Sequence, residues 1–314
     1  MKRNRLIPIF FATDDAYAPA LGVAIESILA NASEGYDIRI HVLTEGLTQK
    51  NVEGLMRITE GRATLRFVDM KERIAPISSR LVLRDYYSGA TYVRLFIAEL
   101  FPEYDRVLYL DCDITVNGDI AELYNAKTDG ALLAAVPEDV MARIDTFGRY
   151  VEVCLGIPRD EYFNAGILVM NLAALRRERI FERFLDLLDR RRFVVTQDED
   201  YLNVLCRGAV TPLSYTWNTS PLATEVTNRP ALVHYKLDRK PWHYYDVHLG
   251  DGFWQYAADT PFYEGLLADR AGHGEAGAAR DREAFLRLCR LAEEEMEAEP
   301  ERRAAGLCRV HYIA

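Results

Sequence analysis

The chain has 314 residues, 49% of them hydrophobic and 27% charged, with a formal net charge of -10. That balance belongs to an ordinary globular protein and argues against both extended disorder and a sequence-independent grip on nucleic acid, which needs clustered Lys and Arg. The length exceeds the prior for one average domain, but single α/β domains reach about 250 residues, so one large core plus an appendage is the economical reading.

The N-terminal MKRNR followed by apolar Leu6 to Ala12 superficially resembles a signal peptide. The apolar run soon meets Asp14 and Asp15 without a small-residue cleavage site, so it reads as a first buried strand. Strand-like Ile7 to Phe11 precedes a helix in which Leu21, Ala24, Ile25, Ile28 and Leu29 share one face. Strand-like Ile38 to Leu43, a helix near Gln49 to Ile58 and strand-like Thr64 to Val68 complete a β-α-β-α-β opening, as in a doubly wound sheet. Helix-compatible Thr91 to Leu100 leads into a strand ending at Asp111, and Ala131 to Val136 gives another strand.

Past Asn164 the order loosens. Gly166 to Asn171 is strand-like, Arg179 to Arg190 carries an apolar helical face, and a helix spans about Glu199 to Cys206. Aromatics crowd Pro241 to Tyr263, Gly272 to Gly277 (GHGEAG) reads as a linker, and Phe285, Leu288, Cys289, Ala292 and Met296 mark one amphipathic helix. The boundaries expected are a catalytic domain over 1–255 and a C-terminal linker with helical appendage over 256–314. No run reaches the roughly 18 to 20 apolar residues of a membrane helix, so the protein is expected to be soluble or at most peripheral. The five cysteines, Cys112, Cys154, Cys206, Cys289 and Cys308, are odd in number and scattered, which suits core positions in a reducing cytoplasm.

Chemistry concentrates at Val107 to Val116 (VLYLDCDITV), where an apolar run delivers Asp111 and Asp113 at its end. Strands buried on both faces read as such runs, and ligands bind where they stop. Alternation along an extended backbone puts residues i and i+2 on one side, so both carboxylates can converge on a hard divalent cation. The bland alternative, a surface turn with solvated acids, leaves the apolar run unexplained. Phe11 to Asp15 lies at the exit of the first strand, a nucleotide-binding position, although it lacks G-x-G-x-x-G and Asp14 or Asp15 serves equally well as a helix cap. Arg94 is the local cation that an acidic protein needs beside a phosphate, unless it forms a surface salt bridge. Tyr162 to Gly166 sets Asn164 beside two small residues, which suits close approach of a polyhydroxyl ligand or an ordinary turn. Gln197 to Asn203 opens a helix with three consecutive acids, Asp198, Glu199 and Asp200, as the helix dipole favours. His234 at a strand end is a candidate third metal ligand, and Lys240 a candidate partner for a diphosphate.

FATDDAY at 11–17, TYVRL at 91–95, LYLDCD at 108–113, YFNAGILVMNL at 162–172, QDEDYLN at 197–203 and HYKLDRKPWH at 234–243, in this order, resemble the family 8 retaining glycosyltransferases of the GT-A fold. That group includes bacterial lipopolysaccharide galactosyl- and glucosyltransferases and glycogenin. The likeness covers about residues 5 to 245 and implies a Rossmann-like α/β nucleotide-sugar-binding fold with a central mixed, mostly parallel sheet. It further implies that Asp111, Asp113 and His234 bind Mn²⁺ or Mg²⁺ bridging the diphosphate of a UDP-sugar. Ala12, Asp14 and Tyr17 would contact uridine, Arg94 the sugar and diphosphate, Asn164 and Ala165 the donor sugar, and Lys240 the phosphates. Asp198 and Glu199 would line the sugar near its reacting carbon.

Two positions depart from the family pattern: Leu237 stands where a glycine is usual, and Glu199 where many relatives carry Gln. The implied activity is transfer of galactose or glucose to a hydroxyl of a glycan or other acceptor, with retention, either through a covalent intermediate at Glu199 or by same-face attack. Two rivals remain: a haloacid-dehalogenase-type phosphatase with Asp111 as nucleophile, and a non-catalytic nucleotide-sugar binder. The implied setting is cytoplasmic, at most at the inner face of the membrane. Residues 264–314 carry 8 Lys or Arg against 11 Asp or Glu, which offers anionic lipid no attraction. The terminal helix is expected to pack on the core or to pair two copies as a homo-oligomer.

Overall fold

Continuous apolar strands are stable only where both faces are covered. The computed structural model describes residues 5–81, 89–128, 130–139, 143–222 and 229–304. Strands β1 (Arg5–Ala12), β2 (Tyr36–Thr44), β3 (Thr64–Asp69) and β4 (Arg106–Leu110) form a parallel set with β1 between β2 and β4. Alternation divides their side chains between two cores: Ile9, Phe11, Leu108 and Leu110 face the cluster with helix Ala18–Asn31, while Phe10 and Tyr109 face the other.

After β5 (Ile114–Val116), β6 (Leu133–Pro137), β7 (Phe163–Asn171), β8 (Val210–Pro212) and β9 (Leu232–His234), the main sheet reads β3-β2-β1-β4-β7-β6-β8. It is mixed and mostly parallel, with β7 antiparallel to both β4 and β6. Strands β5 and β9 pair separately, antiparallel, with Ile114 opposite His234. This two-stranded sheet is what carries a residue from far down the chain to the end of β4.

Three local expectations are corrected. Asp111, Cys112 and Asp113 lie in a bend between β4 and β5, so alternation along an extended strand does not bring the acids together. Thr91 to Leu100 splits into a 3-10 helix, Gly89–Phe96, and one α-turn, Ile97–Leu100. The expected linker Gly272 to Gly277 is helical, part of a long element Tyr263–Ala304 broken at Gly274, whose φ of 52° and ψ of -163° suit glycine. Leu288 and Ala292 of this element are buried in the core cluster around Phe10 and Tyr109, with Phe285, Cys289 and Met296 packed against it. Cys112, Cys154 and Cys206 are buried free thiols and Cys289 is half-buried; Cys308 lies outside the described residues. Among the described residues no helix is long and apolar enough to cross a membrane.

Candidate functional site

The ends of β4, β7 and β9, the bend at Asp111 to Asp113 and the helix Asp198–Leu205 surround a cleft of about 260 Å³. Pairing of β5 with β9, together with the bond from Tyr235 N to Asp113 O at 2.9 Å, sets His234 beside the aspartates. His234 Nε2 lies 3.2 Å from Asp113 Oδ1 and 3.8 Å from Asp111 Oδ2. One donor atom from each of the three residues lies within 4.8 Å of the others. Two carboxylates and one imidazole form a hard, oxygen-rich set suited to Mn²⁺ or Mg²⁺. Gly166 makes room for that set, because a Cβ there would fall 2.5 Å from both Asp111 Oδ2 and His234 Cε1. The residues therefore fit a divalent ion.

Charge on this wall is compensated. Burial alone would raise the Asp113 carboxyl, but Lys240 and then His234 outweigh it and hold the group well below the usual carboxylate range. Lys240 Nζ contacts Asp113 Oδ2 and donates to Tyr235 O at 2.6 Å. Arg94, expected either at a phosphate or in a surface salt bridge, is 5% exposed and stacked over the Tyr109 ring at 4.3 Å. Its guanidinium reaches Asp111 Oδ1 at 3.1 Å and Asp198 Oδ2 at 2.9 Å, and it also donates to Ala165 O. Burial would lower its pKa, and Asp111 with Asp198 reverses that.

The opposite wall holds carboxyls in low-dielectric surroundings. Burial pushes Asp198 up to about 7 despite Arg94, and Asp111 adds to the rise. The Arg94 Nε proton is directed at Thr91 O, so buried Asp198 Oδ2 accepts no hydrogen bond. Burial, then Glu138, raises Glu199 well above the usual range. Glu199 Oε2 accepts from Ala165 N at 2.8 Å and Asn164 Nδ2 at 3.1 Å. Asp200, the third acid of the run, turns away from the cleft to accept from Tyr150, Tyr162 and the Thr196 backbone, and is structural.

At the exit of β1, Ala12, Thr13, Asp14 and Tyr17 line the cleft. Asp14 and Asp15 divide the two readings of that turn. Asp15 pins the start of the helix Gln49–Thr59 through Thr48 N and Asn51, whereas Asp14 accepts from Tyr17 N at 3.0 Å from within the cleft wall. Leu237 also lines the cleft and has the left-handed φ of 56° that a glycine adopts freely, so the backbone path survives the departure from the family residue. Asp281, Ala284, Phe285 and Leu288 close the mouth from the C-terminal helix.

Sequence reasoning missed three residues. Asn218 Oδ1 pairs with His234 Nδ1 at 3.0 Å, fixing the tautomer that leaves Nε2 toward the aspartates, and its Nδ2 donates to Asn164 Oδ1 at 2.8 Å. No spacing signal marks it. Glu138 and Lys236 line the deep end, and Lys236 pairs with Glu138 and Asp139. The adjacency of Lys236 to His234 is the one clue that the sequence offers.

The family model described as Glycosyl transferase family 8 matches residues 8–246. The chain is 27% identical to the lipopolysaccharide 1,2-glucosyltransferase of Escherichia coli K12 over 82% of this chain and 79% of that one. Among solved structures, the galactosyltransferase LgtC in complex with donor and acceptor sugar analogs aligns with a TM-score of 0.68 and 28% identity, covering 81% of this chain and 96% of LgtC. The bifunctional glycosyltransferase WbbM aligns with a TM-score of 0.75 and 26% identity, covering 86% of this chain but only 52% of WbbM.

Proposed function

The chain belongs to glycosyl transferase family 8, and from that premise we propose that it moves a hexose, galactose or glucose, from a UDP-sugar to an acceptor hydroxyl, with retention, in lipopolysaccharide or other cell-surface glycan synthesis. The observation that carries this reading is one cleft with two walls: a convergent Asp111, Asp113 and His234 trio beside Lys240, facing Asp198, ion-paired with Arg94, and Glu199. The phosphatase reading does not explain this arrangement, because there His234 and Lys240 have no task.

When bound, a divalent ion supplies the positive charge that a departing nucleoside diphosphate needs. Lys240, fixed between Asp113 and Tyr235 O, adds a cation already held in place at that end. Arg94 ties Asp111 to Asp198, so the diphosphate wall and the sugar wall keep one spacing. Asp198 Oδ2 is positioned to accept from a donor-sugar hydroxyl. Glu199, its carboxyl pushed up by burial and Glu138, stands where many relatives carry an amide and accepts from Asn164 and the Ala165 N–H. A carboxyl that burial pushes toward its neutral form is the weaker nucleophile, which supports same-face attack over an obligatory glycosyl-enzyme at Glu199.

In this proposal residues 1–255 are the catalytic domain, and the acceptor, a glycan or other hydroxyl compound, enters between it and the helix bearing Phe285 and Leu288. A cytoplasmic setting suits the free thiols and a nucleotide-sugar donor. The test is release of UDP from a panel of UDP-sugars with Mn²⁺, Mg²⁺ or EDTA. Release from UDP-galactose or UDP-glucose that EDTA abolishes is expected; turnover of p-nitrophenyl phosphate without UDP release would overturn the reading.

A further inference from the structure

A second cluster of metal-ligating side chains lies at the mouth of the cleft, where the loop after β9 meets the C-terminal helix. The His243 and His273 rings are stacked, centroids 4.2 Å apart and planes at 7°. His273 Nε2 is 2.9 Å from Asp281 Oδ2, and Tyr244 OH donates to the same oxygen at 2.7 Å. One donor atom from each of His243, His273 and Asp281 lies within 4.8 Å of the others, and Asp281 is buried. The His243 ring makes no side-chain hydrogen bond among the described residues.

We propose that His243, His273 and Asp281 form a second divalent-metal site, distinct from the Asp111, Asp113 and His234 trio and selective for Zn²⁺. Two imidazoles and one carboxylate are a softer set than two carboxylates and one imidazole, and softer nitrogen-rich sets prefer zinc to magnesium or manganese. Bonds of about 2.0–2.2 Å in a tetrahedral site place donor atoms roughly 3.4 Å apart. His273 Nε2 and Asp281 Oδ2 sit closer than that spacing, and the two rings must swing out of their parallel stack for both nitrogens to converge, exchanging the stack and the His273–Asp281 hydrogen bond for three metal bonds. Tyr244 OH already holds the carboxylate from behind, as outer partners of metal ligands do. The fourth position is left to water.

Placement gives the site a role. His273 and Asp281 flank Gly274, the break in the helix, while His243 comes from the catalytic domain three residues after Lys240. An ion there pins the segment that brings Asp281, Ala284, Phe285 and Leu288 to the cleft. It would thus set the acceptor side of the cleft without touching the donor. A hydrogen-bonded clasp is the rival, and it needs no metal.

The test uses the full-length protein, stripped with EDTA and free of nucleotide, titrated with Zn²⁺ by calorimetry and followed by thermal unfolding. Zn²⁺ is expected to raise Tm by several degrees in Asp113→Asn, which disables the first trio, and not in the double variant Asp113→Asn/His273→Gln, whose Zn²⁺ affinity should drop at least about tenfold. A Tm in EDTA close to that of Asp113→Asn certifies that the double variant folds. Co²⁺ provides a readout on the unaltered protein: the intense visible bands of a four-coordinate ion, insensitive to UDP, are expected. Zn²⁺ binding unchanged when His273→Gln is added to Asp113→Asn, loss of all binding in Asp113→Asn, or only weak six-coordinate Co²⁺ bands would overturn the proposal.

Discussion

On one wall of the cleft Asp113 is held ionised by Lys240 and His234, whereas on the other burial drives Asp198 and Glu199 toward their protonated forms. The difference follows from partners rather than from burial, since Asp113 and Asp198 are both buried and Glu199 is half-buried beside them. Asp113 has the Lys240 ammonium against one oxygen and the His234 ring against the other. Asp198 shares Arg94 with Asp111, and Glu199 has only amide donors on Oε2 with Glu138 nearby. In the proposed function one wall keeps charge for a metal and a diphosphate, and the other meets a neutral sugar. The two also respond oppositely to pH. The lowered Asp113 contributes stability above the ordinary carboxyl range that is lost on acidification; the raised Asp198 contributes stability that is fully present below that range and is lost as pH rises through about 7.

The strongest way to break the contrast is Asp113→Asn, which keeps shape but removes the charge facing both His234 and Lys240. UDP release should fall by roughly 10³-fold or more at any Mn²⁺ concentration, the scale of losing electrostatic stabilisation of a leaving group. A loss of under tenfold would detach the trio from the chemistry. Asn218→Ala tests the same wall from behind: His234 loses the acceptor that fixes its tautomer, so the Mn²⁺ requirement should rise about 10- to 100-fold while turnover at saturating Mn²⁺ changes far less.

On the sugar wall, Asp198→Asn removes a carboxyl that ionises reluctantly, although Arg94 then loses one partner. The variant should be more stable than wild type by about 2 kcal/mol or more at pH 8, a gain that shrinks as pH falls through about 7 and vanishes only near pH 4, where the acid is protonated in the unfolded chain as well. Urea unfolding across pH reads this directly, and a pH-independent difference would mean that Asp198 is ionised throughout. Glu199→Gln should retain UDP release within about tenfold, because an amide keeps the shape of a carboxyl that burial already pushes toward its neutral form, whereas an obligatory nucleophile would lose nearly all of it.

How much of this was legible depended on whether the information was local. Strands β1 to β4 and helix Ala18–Asn31 were readable because apolar runs and helical spacing are set by neighbouring residues. The Asp111, Asp113 and His234 grouping was named from the resemblance, but the alternation argument for the acids was mistaken: they meet in a bend, and His234 arrives through β5–β9 pairing, strands of three residues each that are too short to leave a pattern. The reversed direction of β7 was equally hidden, since a fully buried strand looks alike in either orientation. Asn218 and Glu138 gave no signal, being single polar residues whose partners lie 16 and 98 positions away. Asp200 shows the converse: three adjacent acids look equivalent in sequence, and helix geometry sends the third into the core.

Leu237 offers the smallest and sharpest probe, because it concerns backbone alone. A leucine at φ 56° pays for its Cβ in the left-handed region, about 1 kcal/mol, and glycine would remove that cost while gaining entropy in the unfolded chain. Leu237→Gly should therefore stabilise the fold by a fraction of that amount, up to about 1 kcal/mol, in equilibrium unfolding. A clear destabilisation would show that the leucine side chain, which lines the cleft between Lys236 and Asp238, holds the wall through contacts that outweigh the strain of its backbone. In that case this wall of the cleft would depend on side-chain packing at the position of Leu237.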